Sequence, residues 1–195
     1  MSLGDRLFVA RLRARDERAF QELVVKFGDR VFGLVFRFVG NRAEAEDVAQ
    51  EVFVTVWKSI DTFRSESKLS TWLFRIAANH AKNRIKYLAR RASDGEGLDG
   101  APEAALADLG RTSNHGHVGG PEAALEAAQR GSAVERAIAA LDEDQRLVVI
   151  LRDVEELSYD EICDITGLPE GTVKSRLHRG RLALKEWLQA AGETP

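Results

Sequence analysis

Two clusters of side chains in this 195-residue chain have the types and spacing to do chemistry. Lys174, Ser175, Arg176, His178, Arg179 and Arg181 follow one another closely, and from Lys174 to Lys185 there are five Lys or Arg residues and no acid. Lys and Arg pair with phosphates or guanine edges, and Ser with either, so this cluster suits nucleic-acid recognition. In the second cluster Arg75, Asn79, Lys82, Lys86 and Arg90 recur at intervals of four, three, four and four, which aligns them on one face of a helix. From Lys68 to Arg91 there is again no acid. Basic residues that track a backbone, with Phe63, Trp72, Phe74 and Tyr87 near them for stacking, suit single-stranded or melted nucleic acid. The Asn79 amide can read a base edge. A base drawn from its stack needs a snug pocket, which residues 63–67 (Phe63, Ser65, Glu66 and Ser67 among them) could form. No nucleophile–base set, metal-ligand cluster or phosphate-cradling Gly loop stands out. The expectation is a non-enzymatic protein with no cofactor, no metal and no small-molecule substrate.

The elements that must carry these clusters are helical. Ser158 and Glu161 form a capping box, followed by a short helix over 159–166. Gly167 sits where a helix end wants a left-handed residue, and Pro169 keeps that helix from continuing. A second helix over about 170–188 carries Val173, Leu177, Leu184 and Leu188 as its buried stripe. Two helices joined by a short Gly-containing turn describe a helix-turn-helix. The second basic cluster belongs to a helix over 71–91, with Leu69, Trp72, Leu73, Ile76, Ala77, Ala81 and Leu88 inward. Before it, the pattern predicts a short helix over 5–14 with Leu7, Phe8 and Leu12 inward. A long apolar helix follows over 17–39, capped by Asp16, and then a helix over 42–59 after Gly40-Asn41. That third helix buries Ala45, Val48, Val52, Val56 and Ile60 and leaves Asp47, Gln50 and Glu51 as a polar, mainly acidic strip. Phe53 and Trp57 lie off its buried centre, placed to pack under a neighbour or to rim an interface. Residues 133–140 and 145–154 read as two further helices, the second capped by Asp142.

Strand signals are scarce, so the fold class is all-α: two small helical domains joined by a flexible linker. The boundaries are 1–92, 93–131 and 132–195. The middle segment is rich in Gly, Ala, Asp and Glu with few large apolar residues, and reads as an acidic tether with short helical stretches at 121–130. His115 and His117 in it have no Cys partner and predict no metal site. The net charge of −3 is less informative than local segregation, because charges further apart than about 8 Å are screened at physiological salt. The lone Cys163 forms no disulfide and fits a reducing cytoplasm, where it packs as a small core residue. The N-terminal residues mix apolar side chains with acids and arginines, which predicts no signal peptide. The apolar runs are too short for a bilayer span, so no membrane insertion is expected.

DVAQEVFVTVWKSIDTFR followed by STWLFRIAANHAKN resembles region 2 of bacterial sigma factors. LDEDQRLVVILRDVEELSYDEICDITGLPEGTVKSRLHRGR resembles region 4. The order and the linker-only connection resemble the extracytoplasmic-function group of the sigma-70 family. That resemblance implies a transcription initiation factor that binds core RNA polymerase, directs it to promoter DNA and opens the duplex. It places Asp47, Gln50 and Glu51 on the clamp helices of the largest polymerase subunit. It places residues 63–67 and Asn79, with the basic stripe of Arg75, Lys82 and Lys86, at the −10 element. It places Lys174, Ser175, Arg176, His178, Arg179 and Arg181 at the −35 element. It also implies an anti-sigma factor, often membrane-bound, as regulator. The alternative from the residues is a conventional helix-turn-helix regulator acting without polymerase, with residues 1–91 as a dimerisation or effector domain. A protein that sequesters a partner is a third reading.

Overall fold

The computed structural model describes residues 3–93 and 133–192. The expected tether, with 121–130, His115 and His117, lies outside the described residues apart from Ser93. Among the described residues every regular element is helical. In chain order these are α1 (Leu3–Arg13), α2 (Glu17–Val39), α3 (Arg42–Ser59), a 3-10 turn (Ile60–Thr62) and α4 (Leu69–Ser93). Then come α5 (133–140), α6 (Glu143–Val149) running into a π turn (Ile150–Val154), α7 (Tyr159–Thr166) and α8 (Glu170–Ala190).

Local chemistry fixes most of the boundaries. Asp16 caps α2 by accepting from the Arg18 and Ala19 amides at 2.9 and 3.2 Å. The Arg11 guanidinium and the Ala19 amide hold the Asp16 carboxyl below the usual carboxylate range. Gly40 ends α2 in the left-handed region (φ 80°), and Asn41 caps α3 by accepting from Glu44 at 3.0 Å. The capping box of α7 is complete in both directions: Glu161 N to Ser158 Oγ is 3.2 Å and Ser158 N to Glu161 Oε2 is 2.9 Å. Gly167 closes α7 at φ 70°.

α2, α3 and α4 pack on one another around Leu23, Val31, Leu34, Phe38, Val48, Val52, Leu73 and Ala77, all fully buried. Phe53 and Trp57 dock edge-on against Phe20, with centroids 6.4 and 4.9 Å away. In the second half α6 packs on α8, and α7 lies across α4 of the first half. A buried apolar cluster runs through both halves. Arg146 ties the halves together: it donates to Phe38 O at 2.8 Å and to Ala139 O and Leu141 O at 2.6 and 2.7 Å. Burial lowers the pKa of this guanidinium, while Glu143 and Asp142 push it back up.

Four details differ from the sequence expectation. Leu7 is exposed, and Val9 joins Leu12 in the core. Val9 and Phe8 stand three and four residues before Leu12 and share its face, whereas Leu7 is one step off it. Phe74 is wholly buried with the Arg30 guanidinium 4.8 Å from its ring centroid, so it is core and offers no stacking face. Asp142 stands at the start of α6 but its side chain caps no amide; it accepts from the Gln145 side chain at 3.4 Å instead. The helix over 145–154 widens after Val149, where the Glu155 amide reaches Ile150 O at 3.0 Å, an i to i+5 bond.

Candidate nucleic-acid interface

α8 presents its basic cluster from a rigid seat. Val173 and Leu177 are buried beneath it. Gly180 lets α8 approach α6 so closely that a Cβ there would stand 2.8 Å from Val149 Cγ2. The six candidate residues divide on this seat. Lys174, Ser175, His178 and Arg179 are exposed. Lys174 pairs with Glu170 at 2.7 Å, an ion pair that raises its pKa, and Ser175 donates to Thr172 O at 3.0 Å. Arg176 is half-buried and paired with Asp144 at 2.8 Å. Arg181 Nε donates to Asp153 Oδ2 at 3.0 Å. Those two ion pairs tie α8 to α6 and the π turn, with Arg181 still exposed like Lys174, Ser175, His178 and Arg179.

On α4, Arg75, Asn79, Lys82 and Lys86 keep the predicted alignment; Asn79 and Lys86 are exposed, while Arg75 and Lys82 are partly covered. The Arg75 Nε is buried with no hydrogen-bond partner. The loop before α4 forms a cleft of about 600 Å³ lined by Ser65, Glu66, Ser67 and Lys68 on one side and by Asp5, Phe8 and Lys26 on the other. Ser65 is held at φ 61°, a conformation that non-Gly residues rarely take. Phe63 is not a wall of this cleft. Its ring is buried and tilted against Trp72, centroids 5.5 Å apart. Phe63, Glu66, Ser67 and Trp72 instead line a second recess with Arg64 and Arg75.

No sequence motif links α1 and the residues after it to the site. Arg13 donates to Phe63 O, and Arg15 to Trp57 O and to Asp61, so these arginines anchor the turn from which the loop departs. Arg15 itself sits at φ 59°. Nothing in the sequence pattern announces contacts fifty residues apart. Lys68, also in the cleft, was legible only as part of the acid-free run.

The polar strip of α3 is exposed, as its spacing predicts: Asp47, Gln50 and Glu51 all face outward. Glu51 is shared between Arg84 at 2.8 Å and His80 at 3.4 Å. Arg84 also binds Glu44. Burial lowers its pKa, but Glu44, Glu51 and Asp47 outweigh burial and raise it. The α3 strip is therefore fixed to α4, the helix that carries the basic stripe. Cys163 is partly buried in α7, and burial, then Glu170, Asp160 and Asp164, raise its thiol pKa, which makes it a poor nucleophile.

An acidic exposed helix face, a basic helix beside a loop cleft, and a helix-turn-helix with a one-signed outer face define a DNA-binding protein in two parts. Comparison with known proteins carries this to a family. The sigma-70 region 2 model matches residues 23–91 and the sigma-70 region 4 model matches residues 132–184. The chain is 38% identical over 192 residues to the RNA polymerase sigma-H factor of Pseudomonas aeruginosa, covering 95% of this chain and 94% of that protein. It is 36% identical over 189 residues to the ECF RNA polymerase sigma-E factor of Escherichia coli K12, covering 96% and 95%. The ECF sigma factor SigW of Bacillus subtilis is 35% identical over 187 residues, covering 93% and 95%. Among solved structures, the sigma factor RpoE in complex with the anti-sigma factor NepR from Bartonella quintana has a TM-score of 0.67 at 24% identity, covering 87% of this chain and 96% of that one. CnrH in complex with the cytosolic domain of CnrY has a TM-score of 0.66 at 23% identity, covering 95% and 97%. This chain belongs to the sigma-70 family, in its extracytoplasmic-function group. It is a sigma factor, a non-enzymatic initiation factor that directs RNA polymerase to promoters. The reading as a conventional regulator is not favoured, because residues 23–91 are themselves sigma region 2.

Proposed function

We propose that Asp47, Gln50 and Glu51 dock this sigma factor on core RNA polymerase. The cleft of Ser65, Glu66 and Ser67, with Arg75, Asn79, Lys82 and Lys86, takes the melted −10 strand. Lys174, Ser175, His178 and Arg179 read the −35 duplex. Arg176 and Arg181 position α8, and Phe63 acts through the loop it anchors. The observation that carries this reading is the pairing of two basic runs without an acid in sequence, residues 68–91 on and before α4 and 174–185 on α8, with an exposed acidic strip on α3. Each DNA contact is weak alone. Fixing both domains on polymerase raises their effective concentration on one promoter. The chain works in the cytoplasm; no helix among the described residues is long and apolar enough to cross a membrane. An anti-sigma factor that covers the polymerase-binding surfaces controls it, a reading supported by the complexes in which RpoE and CnrH were solved.

Transcription in vitro from a randomised promoter library, with core polymerase alone and with core plus this chain, tests the whole reading. Start sites that appear only with the chain give its promoter in the same experiment. Asp47→Arg is expected to abolish co-elution with core polymerase. Asn79→Ala should co-elute normally and open promoters poorly, read by permanganate reactivity of unpaired thymines. Normal opening by Asn79→Ala would move the −10 contact off α4.

A further inference from the structure

We propose that His80 of α4 is a positioning residue for polymerase docking that acts through its charge: neutral, it leaves the α3 strip acidic, and protonated, it neutralises Glu51 and weakens docking. The inference rests on the docking reading above and deepens it. A recess of about 440 Å³ opens on the outer face of α3, lined by Asp47, Gln50, Glu51, Val54 and Thr55, and the residue that α4 contributes to it is His80. The ring is held from two sides. Nδ1 lies 3.4 Å from Glu51 Oε2, and Nε2 lies 3.0 Å from Thr55 Oγ1. The other carboxylate oxygen, Glu51 Oε1, accepts from Arg84 at 2.8 Å. α4 thus holds both oxygens of a docking carboxylate, one through a guanidinium of fixed charge and one through an imidazole whose charge can change. With the proton of the neutral ring on Nδ1, beside the carboxylate, Nε2 accepts from the Thr55 hydroxyl. On protonation Nε2 donates instead, and the hydroxyl turns to accept, since a hydroxyl does either. The ring therefore takes up a proton without any heavy atom having to move.

The charged groups around the ring are Asp47 and Glu51 on α3, Arg84 one turn further along α4, and Glu44, which is bound to Arg84. Lys58 stands along α3 beyond the recess, and α2 packs on both helices through apolar side chains such as Leu23, Val31 and Leu34. With His80 neutral, three carboxylates and one guanidinium leave the cluster two negative charges; with His80 protonated, one is left. Histidine is the side chain that changes charge between about pH 5 and 8. A partner that docks on this strip is basic by complementarity. Val54, half-exposed at the rim, offers apolar surface to the stem of a Lys or Arg. Docking takes the recess out of water, where an added positive charge opposes that partner more strongly than in the free chain. The coupling is reciprocal, so docking drives the proton off His80.

The test measures the affinity of the full chain for core polymerase by fluorescence anisotropy at low salt, from about pH 6 to pH 8, for the parent, His80→Gln and His80→Lys. Melting temperatures at each pH confirm that the variants are folded. His80→Gln reports how polymerase itself responds to pH. The parent is expected to lose roughly threefold more affinity than His80→Gln between pH 8 and pH 6, the size that one exposed charge pair supplies. That difference should shrink as salt is raised. His80→Lys, charged throughout, should bind at pH 8 as weakly as the parent does at pH 6. Identical pH profiles for the parent and His80→Gln overturn the inference, as does folded His80→Lys that binds at pH 8 as tightly as the parent. Asp47→Arg measured alongside separates the two readings. If it binds like the parent, docking lies off α3 and this inference falls with it; if it fails to bind while the parent and His80→Gln agree, only the role of His80 is lost.

Discussion

At the residue scale, the same side-chain type does different work depending on its partner. Lys174 and Arg179 face outward, while Arg176 is half-buried on Asp144. Lys174→Ala and Arg179→Ala should each weaken promoter binding and lower the salt slope by about one unit if they meet phosphate. Arg176→Ala should leave the slope nearly unchanged and lower the melting temperature, because it frees Asp144 and uncovers part of α8. Titrating DNA binding against salt for the three variants separates these roles. Ser65 offers a second test. Its left-handed backbone is strained for any residue with a Cβ and worse for a β-branched one. Ser65→Gly should be at least as stable as the parent, and Ser65→Val should lose about 1–3 kcal/mol in urea unfolding.

At the element scale, the helix-turn-helix depends on how closely α8 lies on α6. Gly180 is buried in that contact, and Val149 is a stiff β-branched neighbour with little room to yield. Gly180→Ala gains about 1 kcal/mol of helix propensity but overpacks the interface by about 1–3 kcal/mol. The expected outcome is a melting temperature a few degrees lower, with weaker duplex binding and unaltered co-elution with polymerase. A rise in melting temperature would mean that α6 and α8 separate freely. The π turn after α6 has a related effect: it sets the chain down so that Asp153 meets Arg181 and Arg152 donates to Leu157 O at 2.7 Å.

At the scale of the whole molecule, the halves meet through carboxylates whose environments pull in opposite directions. Glu135 pairs with Arg37 at 3.0 Å, yet burial raises its pKa by more than Arg37 lowers it. The distance alone suggests a stabilising bridge, but desolvation is the larger effect for a carboxylate this covered. A raised folded pKa means that the ionised form is disfavoured on folding, so Glu135 costs stability at neutral pH and that cost fades as pH falls through its raised value. Glu161 has a lowered folded pKa, so its stabilisation is present above the ordinary glutamate range and is lost as pH falls through the lowered value. Melting temperature measured from pH 7 to pH 4 should show Glu135→Gln equal to or above the parent at pH 7 and converging with it in acid. Glu161→Gln should start below the parent and begin to converge only below the ordinary glutamate range. A Glu135→Gln variant well below the parent at pH 7 would mean that the ion pair, not burial, decides.

The sequence by itself determined every helix that has a local cause. Asp16, Asn41, the Ser158–Glu161 box, Gly40 and Gly167 set their boundaries through hydrogen bonds within a few residues, and the 3.6-residue period marked the inward faces. The alignment of Arg75, Asn79, Lys82 and Lys86 was legible for the same reason. What the tertiary structure decided were the contacts between distant residues. It buried Phe63 and Phe74, tied Arg176 and Arg181 to Asp144 and Asp153, and brought Arg13 to the loop before α4. It also laid the acids of α7 on the start of α4. A charge pattern records that a face is basic, but which acid neutralises it depends on how helices from opposite ends of the chain pack, and no local period carries that information.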